Sequence, residues 1–315
     1  MNIIFTVCNR SSLANALALA NAAMQYPGSI FYLCWVDNIE IPNLPGNVRL
    51  LPVSSLKLPQ WEQMAANYYD FELLPACRPW FAKYLLETHA DVNTLVFLAP
   101  TVFLYKSLDT IISNDAGMQV TPHITGALRK SDLLDDKRIL NVGMFHAGSW
   151  VLRRNEKTSQ FLNWWAERTL DRAKFDLCNG MCMDQLWLNF VLVRIPDAKQ
   201  LTNEGWHYGL HSVLNKKIEH RNGEYAVNGQ PLVSADFAGL EFFDPIWSDH
   251  APLLAQSGLF KQLYSDYQKV LALEKKGLPA GKPGYGRIPD IKTNRLLRKK
   301  ITGSLRSITR FIDQF

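Results

Sequence analysis

The chain has 315 residues, 47% of them hydrophobic and 20% charged, with a formal net charge of +5. That is ordinary for a soluble globular protein, enough for one large or two modest domains. The positive charge is uneven. Residues 287–315 carry Arg287, Lys292, Arg295, Arg298, Lys299, Lys300, Arg306 and Arg310 against Asp290 and Asp313, a net +6, which leaves the body near −1 and without a basic face for nucleic acid.

The elements follow in order. Ile3–Val7 reads as a strand, and Ser11 or Ser12 as the N-cap of an Ala/Leu-rich helix over Leu13–Gln25. Ile30–Val36 is a second strand, ending at Asp37. Strand, helix and strand with short links make a βαβ unit and a parallel sheet. Val48–Val53 is a third strand and Pro75–Glu87 a helix, with Lys83 and Glu87 paired outside it. Leu95–Leu98 is a short apolar run of the kind buried on both faces. It stops at Ala99-Pro100-Thr101, and Val102–Tyr105 resumes at once. Neither a dinucleotide fingerprint nor a P-loop follows the first strand.

Beyond Val120 the pattern is mixed. Residues 124–140 read as a surface loop, Met144–Leu152 as a strand broken at Gly148, and Asn155 as the cap of a helix running to about Arg172. Met183–Phe190 begins another helix, headed by Asp184-Gln185, where a carboxylate suits the helix dipole. Asn222-Gly223 and Asn228-Gly229 bracket a small antiparallel ribbon. Gly258–Lys275 is amphipathic, Gly277–Pro289 a linker, and Lys292–Phe315 a basic amphipathic helix of the type that lies on a membrane.

Five cysteines without paired spacing point to buried thiols in a reducing compartment. Cys178-x-x-x-Cys182 is not a zinc spacing. The N-terminus lacks the features of a signal peptide, and Leu13–Met24, broken by Asn15 and Asn21, is too short and polar to span a bilayer. The expected location is cytoplasmic, peripheral on the inner membrane face. His207 and His211 are four apart, but Gly205 and Gly209 argue against a helix that would pair them on a metal.

Several phrases occur in a telling order: Tyr69–Leu73, Arg78–Phe81, Leu95–Thr101, Thr121-Pro122-His123, Asn141 to Gly148, Phe161–Trp165, Met183–Trp187, Gly205-Trp206 and Asp236–Gly239. Together they resemble a bacterial family of GT-A fold glycosyltransferases related to family eight, over roughly residues 1–285. The resemblance implies an α/β fold: a Rossmann-type, mostly parallel sheet flanked by helices, with a mixed C-terminal acceptor half. Residues 1–285 would be the transferase domain and 286–315 a basic amphipathic tail.

The resemblance also implies transfer of a sugar from a nucleotide-diphosphosugar, usually uridine-linked, to a hydroxyl of a glycan or lipid-linked acceptor. It implies donor contacts at Thr6, Val7, Cys8, Asp37, Arg78, Lys83, Ala99, Thr101, His123 and Gln185, with Asp184 and Asp236 as the catalytic carboxylates. Arg78, Lys83, Arg129 and Lys130 are the cations nearest the diphosphate in this picture. The family's Asp-Pro-Asp stands here as Ala99-Pro100-Thr101, and its Phe-His-Phe-Ser-Gly as Ala235–Gly239. Ala and Thr cannot replace two carboxylates around a hard cation. The expectation is therefore no metal cofactor, with cationic side chains on the leaving diphosphate. The alternative is a catalytically inactive GT-A-like domain that serves as a binding or scaffolding partner. An anionic membrane surface is a further partner expected for residues 292–315, and nucleic acid is not.

Overall fold

A computed structural model of the chain describes residues 2–289 apart from 27, 42 and 43, together with Ile301 and Leu305. The first half is built on β1 (Asn2–Cys8), α1 (Leu13–Ala23), β2 (Ser29–Trp35), β3 (Val48–Pro52), α2 (Asp70–Thr88), β4 (Thr94–Leu98) and β5 (Val102–Leu104). The second adds β6 (Met118–Pro122), β7 (Phe145–Arg153), α3 (Glu156–Arg168), β8 (Lys199–Gln200), β9 (Ser234–Asp236) and α4 (Gly258–Glu274), with shorter helices, 3-10 turns and strands between them, among them a helix over Asp136–Val142 at the end of the expected surface loop.

Seven strands form one sheet in the order β8-β6-β7-β4-β1-β2-β3. β1 pairs in parallel with both β2 and β4, β2 with β3, and β8 with β6. Only β7 runs antiparallel to its neighbours. The fold is a mixed α/β layer structure with a mostly parallel central sheet flanked by helices. The centre is apolar on both faces because β1, β4 and β7 are covered on both sides. Phe5, Phe97 and Trp150 meet across these three strands at 5.1–5.6 Å between ring centroids, and Trp150 continues to Trp165 of α3 at 5.5 Å.

The second lobe hangs from the end of β4. β9 pairs antiparallel with β5, and Phe237 N donates to Thr101 O at 3.0 Å. The Asn-Gly pairs do form the turns of a three-stranded ribbon, Ile218–Arg221, Glu224–Val227 and Gln230–Pro231. All four turn residues have positive φ, between 48° and 81°, as this hairpin type requires. α4 buries Leu263, Tyr267 and Leu271 and is tied to α1 by Asn15 Nδ2–Tyr267 Oη at 2.9 Å.

Three local expectations change. Neither Ser11 nor Ser12 caps α1 through its side chain. Asn9 instead accepts from Ser11 N and heads a 3-10 turn that leads in. α2 begins at Asp70, not at Pro75, because Tyr69 N donates to Glu72 Oε2 at 2.9 Å and starts the helix earlier. Pro75 and Pro79 therefore lie inside it, each deleting one i→i−4 bond. Met183–Phe190 is not a regular helix; Leu186–Phe190 is 3-10, followed by a single turn, Val191–Arg194.

The chain stays packed through the expected linker. Gly284 N donates to Asp37 Oδ1 at 2.9 Å, Asp70 N to Arg287 O at 2.9 Å and Arg287 N to Tyr68 O at 2.8 Å. The expected tail helix over Lys292–Phe315 lies outside the described residues, except for Ile301 and Leu305, which are helical and exposed. Among the described residues no helix is long and apolar enough to cross a membrane.

Candidate active site

A cleft enclosing about 760 Å³, its open side included, lies over the carboxyl ends of β1 and β4. This is where open α/β sheets place ligands. Val7 and Ala99–Thr101 form its floor, α2 supplies one wall through Phe71, Leu74, Pro75 and Arg78, and residues 242–247 supply another. An irregularity in the pairing of β6 with β7 makes the third. Val120 pairs with Trp150, but the next residue, Thr121, pairs with His146. Ala147, Gly148 and Ser149 are the extra residues, and they push His146, Ala147 and Gly148 to the cleft.

Asp184 and Arg78 face each other in this cleft. Arg78 Nη1 lies 3.1 Å and 3.3 Å from the two carboxylate oxygens and also donates to Ala147 O at 3.3 Å. The guanidinium sits 5.0 Å above the Phe97 ring, which orients it. Asp184 is fully buried. Burial raises its carboxyl to about 6, with Arg78 opposing. It caps no helix; the residue in the cap position is Gln185 and makes no side-chain cap bond. Arg78 lies more than two turns inside α2, away from the positive end of its dipole.

The second carboxylate, Asp236, stands at the end of β9. Thr101 Oγ1 donates to its Oδ1 at 2.6 Å and Ala238 N to the same oxygen at 3.0 Å. Its Oδ2 lies 3.4 Å from His207 Nε2. Burial alone would raise this carboxyl, but the His207 ring, Thr101 and the Ala238 amide outweigh it and lower its pKa.

His207 belongs to a cluster of four buried imidazoles. His146 lies 3.8 Å from His123, 4.6 Å from His207 and 4.1 Å from His211 between ring centroids. Burial keeps His123, pushed down to about 3, and also His146 and His211 neutral at physiological pH. Gly209 permits the close approach of this segment to β9, since a Cβ there would lie 2.8 Å from Asp236 O. There is no helix between Gly205 and Gly209, as expected, yet His207 meets the cleft-lining Asp236 and His146 without one.

The cleft thus collects Val7, Arg78, Ala99, Thr101, Asp184, Gln185 and Asp236 from the expected set. Gln185 is held structurally: its Oε1 accepts from Ala147 N at 3.1 Å and its Nε2 donates to Val142 O at 2.7 Å. The other expected residues lie outside it. Thr6 and Cys8 are buried within β1. Asp37 accepts from Arg10, Asn38 and Gly284, which hold its carboxyl below the usual range against its burial. Lys83 lies on the outer face of α2, 3.8 Å from Glu87 and over Trp80. His123 sits behind His146, bonded through Nδ1 to Gly143 O at 2.8 Å. Arg129 donates to the Val213 and Leu214 carbonyls, away from the cleft.

Sequence reasoning missed His146, Asp244 and Trp247. Asp244 is partly buried in the cleft wall and accepts from Ile246 N and Trp247 N, and its carboxyl is raised to about 6, chiefly by desolvation. Its only sequence signal was the Asp-Pro turn after a Phe pair. His146 had none, because its place depends on the β7 irregularity.

The positions that match an Asp-x-Asp pair do not fit a hard cation. Ala99 offers no donor atom, and the Thr101 hydroxyl is engaged on Asp236.

No family model matches the chain. It is 22% identical over 249 residues to "Uncharacterized protein YfnF" of Bacillus subtilis (strain 168), spanning 74% of this chain and 80% of that one. Among solved structures, the galactosyltransferase LgtC with donor and acceptor sugar analogues aligns at TM-score 0.47 and 13% identity, over 86% of this chain and 100% of that one. An active-site mutant of LgtC aligns at 0.48 and 14%, over 92% and 98%. A glycosyltransferase involved in glycosylation of the major capsid of PBCV-1 aligns at 0.44 and 9%, over 80% and 98%.

Proposed function

We propose that this chain is a glycosyltransferase. It moves a sugar from a nucleotide-diphosphosugar, uridine-linked, to a hydroxyl of a glycan or lipid-linked acceptor. The observation that carries the reading is that the Arg78–Asp184 pair and Asp236 line one cleft at the carboxyl ends of a parallel sheet. The ordered phrases from Tyr69 to Gly239 support it. Arg78 is the cation that meets the leaving diphosphate, in place of an ion held by an Asp-x-Asp pair. A guanidinium fork suits that role. Asp184, raised to about 6, is poised to take a proton from the acceptor hydroxyl near neutral pH. The basic tail holds the enzyme on the inner face of a membrane, beside its acceptor.

The test is a panel of nucleotide sugars with slow donor hydrolysis as the readout. Hydrolysis of one donor, lost in Arg78→Met, supports the reading. Strict dependence on added Mg²⁺ would sink the role given to Arg78. A second reading rests on Ala99 and Thr101 themselves: a domain without hydrolysis that binds a partner transferase. Calorimetry showing no affinity for any nucleotide, with co-purification of an active transferase, decides for it.

A further inference from the structure

His146, His207 and Asp236 bring their ligand atoms within 4.8 Å of one another, and all three residues are buried. His207 Nε2 and Asp236 Oδ2 are 3.4 Å apart. Two ligands on one tetrahedral ion, at bonds of about 2.0–2.2 Å, stand roughly 3.4 Å apart. We propose that these three side chains form a binding site for one divalent first-row transition ion, of the zinc class and not magnesium, at the rear wall of the cleft.

Four observations support the assignment. First, among the described residues the buried His146 Nε2 and His207 Nδ1 make no hydrogen bond, and the buried His207 Nε2 has only the 3.4 Å contact with Asp236 Oδ2. Buried polar atoms of this kind call for a partner. Second, Asp236 is already oriented. Thr101 Oγ1 and Ala238 N both hold Oδ1, which leaves Oδ2 directed at His207. Such supporting bonds fix the ligand in structural and catalytic metal sites. Third, His207 holds a left-handed φ of +54°, costly for a residue other than Gly and fixed by His207 N donating to Ser234 Oγ at 2.8 Å. Fourth, two imidazoles and one carboxylate form the donor set that leaves a borderline ion with open positions. His146 and Asp236 line the cleft, so an open position faces it.

This site differs from the one an Asp-x-Asp pair would make. Thr101 no longer ligates but positions a ligand. Positions 99 and 101 lack carboxylates and no helix pairs His207 with His211; the third ligand is His146, brought in by the β7 irregularity. The assignment needs no nucleotide, so it stands or falls apart from the transferase reading.

The experiment uses the full chain, stripped by a chelator and titrated with Co²⁺ in the absence of nucleotide. One equivalent is expected, with the visible absorption of a four- or five-coordinate ion, displaced by Zn²⁺ and not by millimolar Mg²⁺. Asp236→Asn and His146→Gln are expected to weaken binding at least 100-fold, while His220→Asn, on the exposed ribbon, leaves it unchanged. Binding absent from the wild type, or retained in both variants, overturns the site. Should the variants misfold by circular dichroism, X-ray absorption on the Zn²⁺-loaded wild type decides. Two imidazoles with oxygen sustain the proposal, and a sulfur ligand overturns it.

Discussion

Arg78 Nη1 lies 3.1 Å from Asp184 Oδ1, and the carboxylate it faces is wholly buried. Two opposing effects meet there. Burial disfavours the charge and Arg78 favours it, and the result is a pKa of about 6. A base must be deprotonated, so kcat/KM should rise with pH through about 6 and then level off. Asp184→Asn should lower kcat by about 10²–10⁴-fold and abolish that acidic limb. Arg78→Met removes the opposing effect and should move the Asp184 carboxyl's own midpoint upward, read by NMR titration of the carboxyl and not by turnover. An unchanged profile in Asp184→Asn would remove Asp184 from the chemistry.

Asp244 gives a stability prediction of definite sign. Its folded pKa is about 6, raised by burial, against about 3.9 in the unfolded chain. Between these values the native state holds a proton that the unfolded state has released. Its contribution is therefore present below about pH 4 and lost as pH rises to 6, a change of about 3 kcal/mol. Asp244→Asn keeps the oxygen that accepts from Ile246 N and Trp247 N. The variant should be more stable than wild type by about 1–3 kcal/mol at pH 7.5, with the gap closing near pH 4. Urea unfolding at the two pH values measures it. A less stable variant at pH 7.5 would mean the charge is needed in the fold.

The parallel half of the sheet was legible because its strands are short apolar runs ended by turn residues, and those signals are local. β4 and β5 fell where Leu95–Leu98 and Val102–Tyr105 placed them. The start of α2 was not legible, because prolines at 75 and 79 imitate a helix start while the capping bond lies at Tyr69 and Glu72. Asp184, Asp236 and Arg78, which line the cleft, stand out in the sequence as charged residues in ordered phrases. The imidazole cluster was hidden. It joins positions 123, 146, 207 and 211, brought together by a bulge in β7 and a glycine-lined approach to β9. No periodicity records such a meeting.

Thr101 and Asp236 form the shortest polar contact in the cleft wall, at 2.6 Å. Thr101→Val preserves shape and removes the donor, leaving a buried carboxylate oxygen with the Ala238 amide alone. The expected cost is about 1–3 kcal/mol of stability. Thr101→Ser should recover most of it. Equal stability of the Val and Ser variants in denaturant melts would refute a positioning role for the hydroxyl.

The last prediction separates the packed segment from the tail. Asp37, held by Arg10 at 2.5 Å, accepts from Gly284, and Arg287 bridges Tyr69. Gly286 has φ +83°, and a Cβ on it would lie 2.8 Å from Asp70 Cα. Residues up to 289 thus belong to the folded body, and those beyond carry nearly all the excess charge. A chain ending at Pro289 should melt within about 1 °C of the full protein, whereas Gly286→Ala should lower Tm by roughly 3 °C, the equivalent of about 2 kcal/mol for a chain of this size. The same truncation should abolish binding to vesicles rich in anionic lipid, and added salt should weaken the binding of the full chain. Vesicle binding that survives the truncation would place the membrane contact on the body instead, and the tail would lose its assigned role.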